Sequence, residues 1–220
     1  MTGPKLYGHP FSAYCQKAMI AFAERGFDFE LRMLAFDDAA AGAEFAALWP
    51  IRRMPILVDG DRTLMEATII VEHADLAAGD GARLVPADAR EALDTRMMDR
   101  IFDNYVMTPM QKIVLDRLRE ADRRDAHGVA EARDLLERAY RWLDGALAGR
   151  TWAAGETFSL ADCAAAPALF YADWAHPIDA ALARLRAYRA RLLARPSVRR
   201  AVDAARPYRP LFPGGAPDRD

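Results

Sequence analysis

The chain has 220 residues, of which 52% are hydrophobic and 28% charged, and its formal net charge is −2. This length can hold one large domain or two small ones, while the balance of charges excludes the broad positive field of a nucleic-acid binder. Residues 1–8 lack the apolar core of a secretion signal, and no apolar run approaches the ~20 residues needed to cross a bilayer. We therefore expect a cytoplasmic protein with no nucleic-acid or membrane partner, whose Cys15 and Cys163 stay reduced.

The first part of the chain alternates strand-like and helix-like segments. Residues 5–7 predict a short strand, and residues 14–24 carry apolar side chains at helical spacing. Gly26 follows, a residue type that commonly ends helices. Residues 27–33 alternate apolar and charged side chains, which predicts a half-buried strand, and the alanine-rich residues 39–49 predict another helix.

A predicted hairpin and a further helix complete this part of the chain. Residues 55–59 predict a strand, Asp59-Gly60 is a typical hairpin turn, and residues 62–65 predict the returning strand. Residues 67–77 predict a helix. The order β-α-β-α-β-β-α predicts a small mixed sheet with helices on its faces.

Only helical patterns follow in the second part. Successive segments predict one long helix and four further helices, at residues 88–122, 129–147, 162–174, 178–193 and 197–205. Because the pattern changes across residues 79–87, we expect two domains, residues 1–80 with the mixed sheet and residues 88–220 with helices alone. The tail from Pro207 has too many prolines to be helical.

The turn before the first predicted helix carries Ser12 and Cys15. A helix N-terminus presents unpaired N–H groups and a partial positive charge, which favour a thiolate or a carboxylate. The Ser12 hydroxyl can donate to such a thiolate, although serine is also a common helix cap. Cys15 stands in the first turn, where a free cysteine is commonly buried and inert.

Two further features suit a peptide-like ligand. Pro55 at the start of a strand cannot donate to the sheet, which leaves the backbone of Met54 free to pair with an extended peptide. Glu66 stands where the hairpin gives way to a helix. Its carboxylate there can accept an ammonium group from a ligand or only favour the helix start.

Four motifs occur in order along the chain: S-x-x-C-x-K from Ser12, R-M-P at 53–55, E-A-T at 66–68 and FSLADCAAAP at 158–167. With the change from a mixed to a helical domain, they resemble the glutathione transferase family over essentially the whole chain. The resemblance implies an α/β thioredoxin-like N-terminal domain followed by an all-α C-terminal helical domain. In the last motif, Ser159 and Asp162 match the capping box of the family.

The resemblance also implies a role for the motif residues toward glutathione, the co-substrate. Ser12 aligns with the catalytic residue of the serine- and cysteine-type classes, so it would hydrogen-bond the glutathione sulfur. Pro55 would be the cis-proline, and the backbone of Met54 would pair with the cysteinyl unit. Arg53 would neighbour the glycyl end of the tripeptide.

At the other end of glutathione, Glu66 would hold the γ-glutamyl group. The next position in the family is usually a serine, whose hydroxyl and N–H bind the γ-glutamyl carboxylate. Here it is Ala67, which keeps the N–H and lacks the hydroxyl. That loss could weaken binding by ~1.5–3 kcal/mol, and the hydroxyl of Thr68 could compensate in part.

For the second substrate, the resemblance implies attack of the thiolate on an electrophilic carbon of an apolar compound, in a pocket between the domains. The candidate lining residues are Phe11, Tyr14, Phe102, Tyr105 and Met110, with Asn104 and Thr108 as polar groups. Pro109 should kink the long helix. In the tail, Tyr208, Leu211 and Phe212 either fold back as a lid or stay loosely ordered.

Other functions stay open on the residues alone. A thiol transferase would work through Cys15, and an isomerase or a reductive dehalogenase could use the same glutathione site. Ala67 leaves room for a non-catalytic binding protein of this fold.

The histidines show no metal-ligand spacing, so we predict no metal. The resemblance further implies a homodimer that pairs through the helices at 67–77 and 88–122.

Overall fold

The computed structural model describes residues 3–35, 37–79 and 81–220. Four residues of the first predicted domain lie outside the described residues: Met1, Thr2, Phe36 and Asp80. In the described part, a four-stranded sheet with flanking helices is followed by helices alone. The prediction of an α/β domain followed by an all-α domain is therefore confirmed.

The sheet contains β1 (Lys5–Gly8), β2 (Glu30–Met33), β3 (Ile56–Asp59) and β4 (Arg62–Met65), in the order β2-β1-β3-β4. β1 runs parallel to β2 and antiparallel to β3, and β3 forms the predicted hairpin with β4. β2 begins later than its alternating pattern predicts. The reason is that its partner strand begins at Lys5, which pairs with Glu30.

Helices cover both faces of the sheet, because successive side chains of a strand point to opposite sides. Leu6 packs with residues of the first and third helices, whereas its neighbour Tyr7 packs with Phe45 of the second helix. The bounds of these helices are α1 Ala13–Arg25, α2 Ala39–Leu48 and α3 Ala67–Ala77. This arrangement brings the starts of α1 and α3 and the start of β3 to one side of the sheet domain.

The helical domain is built around one buried helix. The bounds of its helices are α4 Ala89–Ile101, α5 Thr108–Arg117, α6 Ala126–Ala146, α7 Leu160–Ala175, α8 Ala183–Ala194 and α9 Pro196–Ala205. Every residue of α7 except Asp173 is buried, and α7 packs on α1 as well as on α4 and α8. It therefore joins the two domains. α8 begins later than predicted, because the Asp179 carboxylate accepts from the Ala181 N–H at 2.8 Å in a turn before it.

The prediction of one long helix over residues 88–122 is wrong. A π-helical turn, Phe102–Met107, separates α4 from α5, which itself ends earlier than predicted. Pro109 explains the interruption, since it has no N–H to donate back along the helix. The Thr108 N–H donates to the carbonyl of Asp103, the longer hydrogen bond of a π turn. The Thr108 hydroxyl donates to the same oxygen at 3.0 Å.

The prediction of a non-helical tail is also wrong in part. Arg206–Leu211 form a short 3-10 helix. The following Phe212 is buried and packs edge-on against Trp174, with ring centroids 5.3 Å apart. Tyr208 packs against His9 with centroids 4.5 Å apart. The tail is therefore held against both domains rather than loosely ordered.

The capping box predicted at the start of α7 is confirmed. One carboxylate oxygen of Asp162 accepts from the Ser159 N–H at 2.9 Å and from the Ser159 hydroxyl at 3.0 Å. The other oxygen accepts from the Ala153 N–H at 2.9 Å and from the Tyr188 hydroxyl at 2.6 Å. This buried carboxylate thus ties the start of α7 to the preceding loop and to α8.

Candidate active site

A cleft of about 440 Å³ opens between the two domains, a volume typical of small-molecule sites. From the sheet domain it is lined by Ser12, Tyr14, Trp49, Arg52, Arg53, Met54, Pro55, Glu66 and Ala67. From the helical domain it is lined by Arg100, Asp103, Asn104, Gln111 and Leu115. The cleft therefore brings together every residue predicted for the glutathione site.

Ser12 is the N-cap residue of α1, with extended backbone dihedrals. Its hydroxyl oxygen accepts from the Cys15 N–H at 3.5 Å, which is long for a hydrogen bond. The first turn of α1 contains no acidic residue. The helix N-terminus thus offers its partial positive charge to the cleft, beside the Ser12 hydroxyl, which can donate to a ligand there.

Cys15 is buried beneath this turn, with 0% of its surface exposed. Burial raises the pKa of its thiol to about 11, although contacts with the Ser12 hydroxyl and the backbone of His9 act in the opposite direction. A thiolate is the nucleophilic form of cysteine. A buried thiol with a raised pKa is poorly suited to act as a nucleophile, so the geometry favours Ser12 over Cys15 as the group that meets a ligand.

The segment before β3 presents a free stretch of backbone. The peptide bond between Met54 and Pro55 is cis, as the resemblance implies. Neither the N–H nor the C=O of Met54 takes part in a hydrogen bond among the described residues. Arg52 and Arg53 precede it, and both are exposed on the cleft. This stretch can therefore pair with an extended peptide and attract a carboxylate beside it.

The start of α3 forms the opposite end of the cleft. Glu66, its N-cap residue, has φ +68°. In the described parts of the chain only Arg52 and Glu66 are non-glycine residues with positive φ, and both line this cleft. Such backbone conformations cost free energy and cluster at functional sites. The Glu66 side chain makes no capping bond to the helix, so its carboxylate stays available to a ligand.

A buried ion cluster underlies this end of the cleft. The Nζ atom of Lys17 lies 2.6 Å from Oδ1 of Asp99, 2.8 Å from Oδ2 of Asp103 and 2.8 Å from Oγ1 of Thr68. The Thr68 hydroxyl in turn donates to Asp99 at 3.0 Å. The geometry does not favour the expectation that Thr68 compensates in part for the hydroxyl missing at Ala67, because the Thr68 hydroxyl is engaged within the protein.

Comparison with known proteins identifies the family. The family models "Glutathione S-transferase, N-terminal domain" and "Glutathione S-transferase, C-terminal domain" match residues 6–81 and 125–191. The chain is 31% identical over 216 residues to Glutathione S-transferase 3 of Zea mays, which covers 93% of this chain and 95% of that protein. The chain belongs to the glutathione S-transferase family.

Solved structures of glutathione transferases share the fold. A glutathione S-transferase from Methylobacillus flagellatus, with glutathione bound, matches with a TM-score of 0.81 and 24% identity, over 90% of this chain and 98% of that one. Glutathione transferase F7 from Populus trichocarpa matches with a TM-score of 0.79 and 21% identity, over 91% and 98%. These similarities confirm a thioredoxin-like domain followed by a helical domain.

Of the five side chains predicted to line the electrophile pocket, Tyr14 lines the cleft and the other four lie elsewhere. Phe102 and Met110 are buried in the helical core, with 0% and 4% exposure. Phe11 packs edge-on against a tyrosine of α7, with ring centroids 5.4 Å apart. Tyr105 is 50% exposed on a different surface, which it shares with an exposed tryptophan of α6.

Sequence reasoning missed several lining residues. These are Trp49, Arg52, Arg100, Asp103, Gln111 and Leu115. Arg100 and Asp103 are three residues apart on one predicted helix, which places them on the same face. Together with the lysine of the S-x-x-C-x-K motif, this spacing could have indicated a charged cluster. Of the two polar candidates on this helix, Asn104 lines the cleft and the Thr108 hydroxyl bonds to its own helix.

The described residues offer neither a metal site nor a membrane-spanning helix. No group of three or more histidine, cysteine, aspartate or glutamate side chains in this part of the chain is arranged to hold a metal ion. Among the helices that the structure describes, none has both the length and the apolar character needed to span a membrane.

Proposed function

We propose that this chain is a glutathione transferase, which binds glutathione in the cleft and transfers its thiolate to an electrophilic carbon of a small apolar compound. The observation that carries this proposal is the convergence of three elements on one cleft. They are the Ser12 turn at the start of α1, the unpaired backbone of Met54, and the Glu66–Ala67 start of α3.

Each part of the tripeptide finds a chemical complement in these residues. The free backbone of Met54 can pair with the cysteinyl amide, as a strand pairs with its neighbour. Arg53 can attract the glycyl carboxylate, and Glu66 can accept the ammonium of the γ-glutamyl group. The N–H of Ala67 at the helix start can donate to the γ-glutamyl carboxylate. The glutathione-bound family member with the same fold supports this assignment.

Ser12 would act on the ionisation of glutathione. A thiol of this kind has a pKa near ~8.5, so only a few per cent is thiolate at neutral pH. Donation from the Ser12 hydroxyl, together with the partial positive charge of the α1 N-terminus, would stabilise the thiolate and lower its pKa. Ser12 is thus a partner of the sulfur and does not itself attack the electrophile.

In the transfer step, the electron pair of the sulfur forms the new S–C bond. The bond to the leaving group breaks, and that group departs with its electron pair, while the thiol proton passes to solvent. Burial, with the Asp103 carboxylate adding to it, raises the pKa of Tyr14 to about 12. Its hydroxyl therefore stays protonated at neutral pH and can donate to the leaving group or to an oxygen of the electrophile.

The test compares Ser12→Ala with Ser12→Thr, a matched variant that keeps a hydroxyl. We expect Ser12→Ala to lower turnover of a chlorodinitrobenzene by roughly 10- to 150-fold, the rate equivalent of ~1.5–3 kcal/mol for one hydrogen bond to a charged group. The dissociation constant of glutathione, measured by calorimetry, should change little, because the backbone and the charged residues hold the tripeptide. Ser12→Thr should keep most of the activity.

Other outcomes would redirect the assignment. Unchanged turnover in Ser12→Ala with lost turnover in Cys15→Ala would assign the chemistry to Cys15 and indicate a thiol transferase. Glutathione binding without turnover of any electrophile would indicate a non-catalytic binding protein. Failure of the wild-type protein to bind glutathione would contradict the proposal as a whole.

We also propose that the protein is a homodimer that pairs through α3 and α4. Both helices carry large apolar side chains that are exposed in the single chain, Ile69 and Leu76 on α3 and Leu93 and Met97 on α4. Exposed apolar side chains on adjoining helices are typical of a protein interface. A second copy of the chain is the partner that the family resemblance predicts for these helices.

A further inference from the structure

Arg100, near the end of α4, reaches across the domain boundary to the start of α3. It lines the same cleft as Glu66 and Ala67. Its Nη2 atom donates to the hydroxyl of Thr68, the residue that follows Ala67. The guanidinium group therefore lies beside the one position of the proposed glutathione site where a side-chain donor is missing.

The guanidinium group is only partly used within the protein. Its Nε and Nη2 atoms donate to Oδ2 of Asp99 at 2.9 and 2.6 Å, and Nη2 also donates to Asp103. Among the hydrogen bonds of the described residues, Nη1 takes part in none. Because a guanidinium carries five N–H donors in a rigid plane, Nη1 keeps two donors for a ligand.

The neighbouring charged side chains hold the Arg100 guanidinium in place, and the charges of the whole cluster sum to zero. Lys17 and Arg100 supply two positive charges, and Asp99 and Asp103 supply two negative ones. Three partners fix the plane of the guanidinium, so little side-chain entropy remains to be lost when a ligand binds. Arg100, which lines the cleft, thus keeps its two Nη1 donors on a guanidinium whose position is already fixed.

A second group of the cluster also lacks a partner. Asp103 lines the cleft, its side chain is only 6% exposed, and its Oδ1 atom has no hydrogen-bond partner among the described residues. A buried carboxylate oxygen without a donor costs free energy, which an incoming donor would recover. The cleft therefore offers unused donors and an unused acceptor side by side.

This pair matches the γ-glutamyl end of glutathione, which carries a carboxylate and an ammonium group on one carbon. Resting on the proposed function, we propose that Arg100 binds the α-carboxylate of the γ-glutamyl group, in place of the hydroxyl that Ala67 lacks. The N–H groups at the start of α3 donate to the same carboxylate. Glu66 and Asp103 accept from the ammonium group.

The experiment measures dissociation constants by calorimetry for two ligands, glutathione and γ-aminobutyryl-cysteinylglycine. The second ligand keeps the amine and the thiol and lacks only the α-carboxylate. For the wild-type protein we expect glutathione to bind roughly 10- to 150-fold more tightly than the analogue, the effect of charged hydrogen bonds to the carboxylate. Arg100→Gln should abolish most of this preference and leave the affinity for the analogue nearly unchanged.

Two further variants separate recognition from damage to the fold. Arg96 lies one turn earlier on α4, is exposed, and pairs with Glu72 at 2.8 Å. Arg96→Gln should therefore leave both affinities unchanged. Arg100→Lys keeps the positive charge beside Asp99 and Asp103 but lacks the planar fork, so it should fold normally and retain only part of the preference.

The outcomes distinguish this proposal from the one on which it rests. If the wild-type protein binds neither ligand, the proposed function fails. If it binds glutathione but shows no preference over the analogue, or if Arg100→Gln and Arg100→Lys keep the full preference, glutathione binding stands and the role of Arg100 is wrong. A preference lost equally in Arg96→Gln would also overturn it.

Discussion

Replacing Asp162 with alanine should destabilise the protein strongly and leave the glutathione affinity of the folded protein unchanged. Asp162 is 0% exposed in the first turn of α7. Its two oxygens accept four hydrogen bonds, from the N–H and hydroxyl of Ser159, the N–H of Ala153 and the hydroxyl of Tyr188. None of these groups lines the cleft between the domains.

The expected loss follows from those contacts. Removal of a helix cap costs ~0.5–2 kcal/mol, and each buried donor left without an acceptor, here on Ala153 and Tyr188, costs ~1–3 kcal/mol. The total is about 2.5–8 kcal/mol. For a chain of this size, ~2–4 °C per kcal/mol gives a fall of roughly 5–32 °C in the melting temperature.

Urea unfolding followed by circular dichroism measures this loss, and Asp88→Ala is the matched control. Asp88 caps α4 in a similar way, accepting from the N–H groups of Arg90 and Glu91 at 3.0 Å. It is exposed, so water can satisfy the freed donors. Asp88→Ala should therefore cost only the ~0.5–2 kcal/mol of an ordinary cap.

Two results would refute the reasoning on Asp162. Equal losses of stability in Asp162→Ala and Asp88→Ala would mean that the buried hydrogen bonds contribute nothing beyond a cap. Unchanged stability with lost glutathione affinity would mean that Asp162 is a binding residue.

Three further predictions concern the thiols, the assembly and the pH dependence of stability. Cys15 and Cys163 are buried with raised pKa values, so neither should react with a disulfide reagent at neutral pH until the protein is unfolded; one fast-reacting thiol would contradict this. Sedimentation at micromolar concentration should give twice the mass of one chain, and the mass of a single chain would disprove the dimer. Burial acts to raise the pKa of Glu24, but hydrogen bonds from Arg195 and Ser197 outweigh it and hold that pKa below the ordinary 4.5. The pair therefore stabilises the fold above about pH 4.5 and loses its effect as the pH falls through the lowered pKa. Glu24→Gln should accordingly reduce the free energy of unfolding at neutral pH and make it fall less steeply as the pH is lowered. If urea unfolding shows the same fall at acidic pH for the variant and the wild-type protein, Glu24 does not titrate this way.

Local patterns were enough to predict the elements of the sheet domain. The alternation of side chains in β2, the turn at Asp59-Gly60 and the capping residues Ser12 and Ser159 act over a few neighbouring residues, so they can be read without a partner. The positions of the motifs at 53–55 and 66–68, before a strand and at the start of a helix, were predictable for the same reason, whereas their roles toward glutathione are what the family resemblance implies.

The helical side of the cleft was not predictable in this way. Which residues of a helix face a cleft depends on the rotation of that helix, and the π turn at Phe102–Met107 adds a residue to one turn and shifts every later position around the axis. Met110, which follows the turn, is buried in the core, and so is Phe102, which begins the turn, although both were candidates for the pocket lining.

Sequence by itself determined the fold class, the turns and caps that bound several elements, and the motif residues of the cleft, since these depend on short-range chemistry. Tertiary structure alone decided the partners of Lys17 and the position of Arg100. Lys17 is separated from Asp99 and Asp103 by most of the sheet domain, and only the packing of α1 and α4 on α7, with α3 packed on α1, brings these charges within hydrogen-bond distance. Burial then makes the contacts obligatory, because an unpaired charge in the interior would cost several kcal/mol.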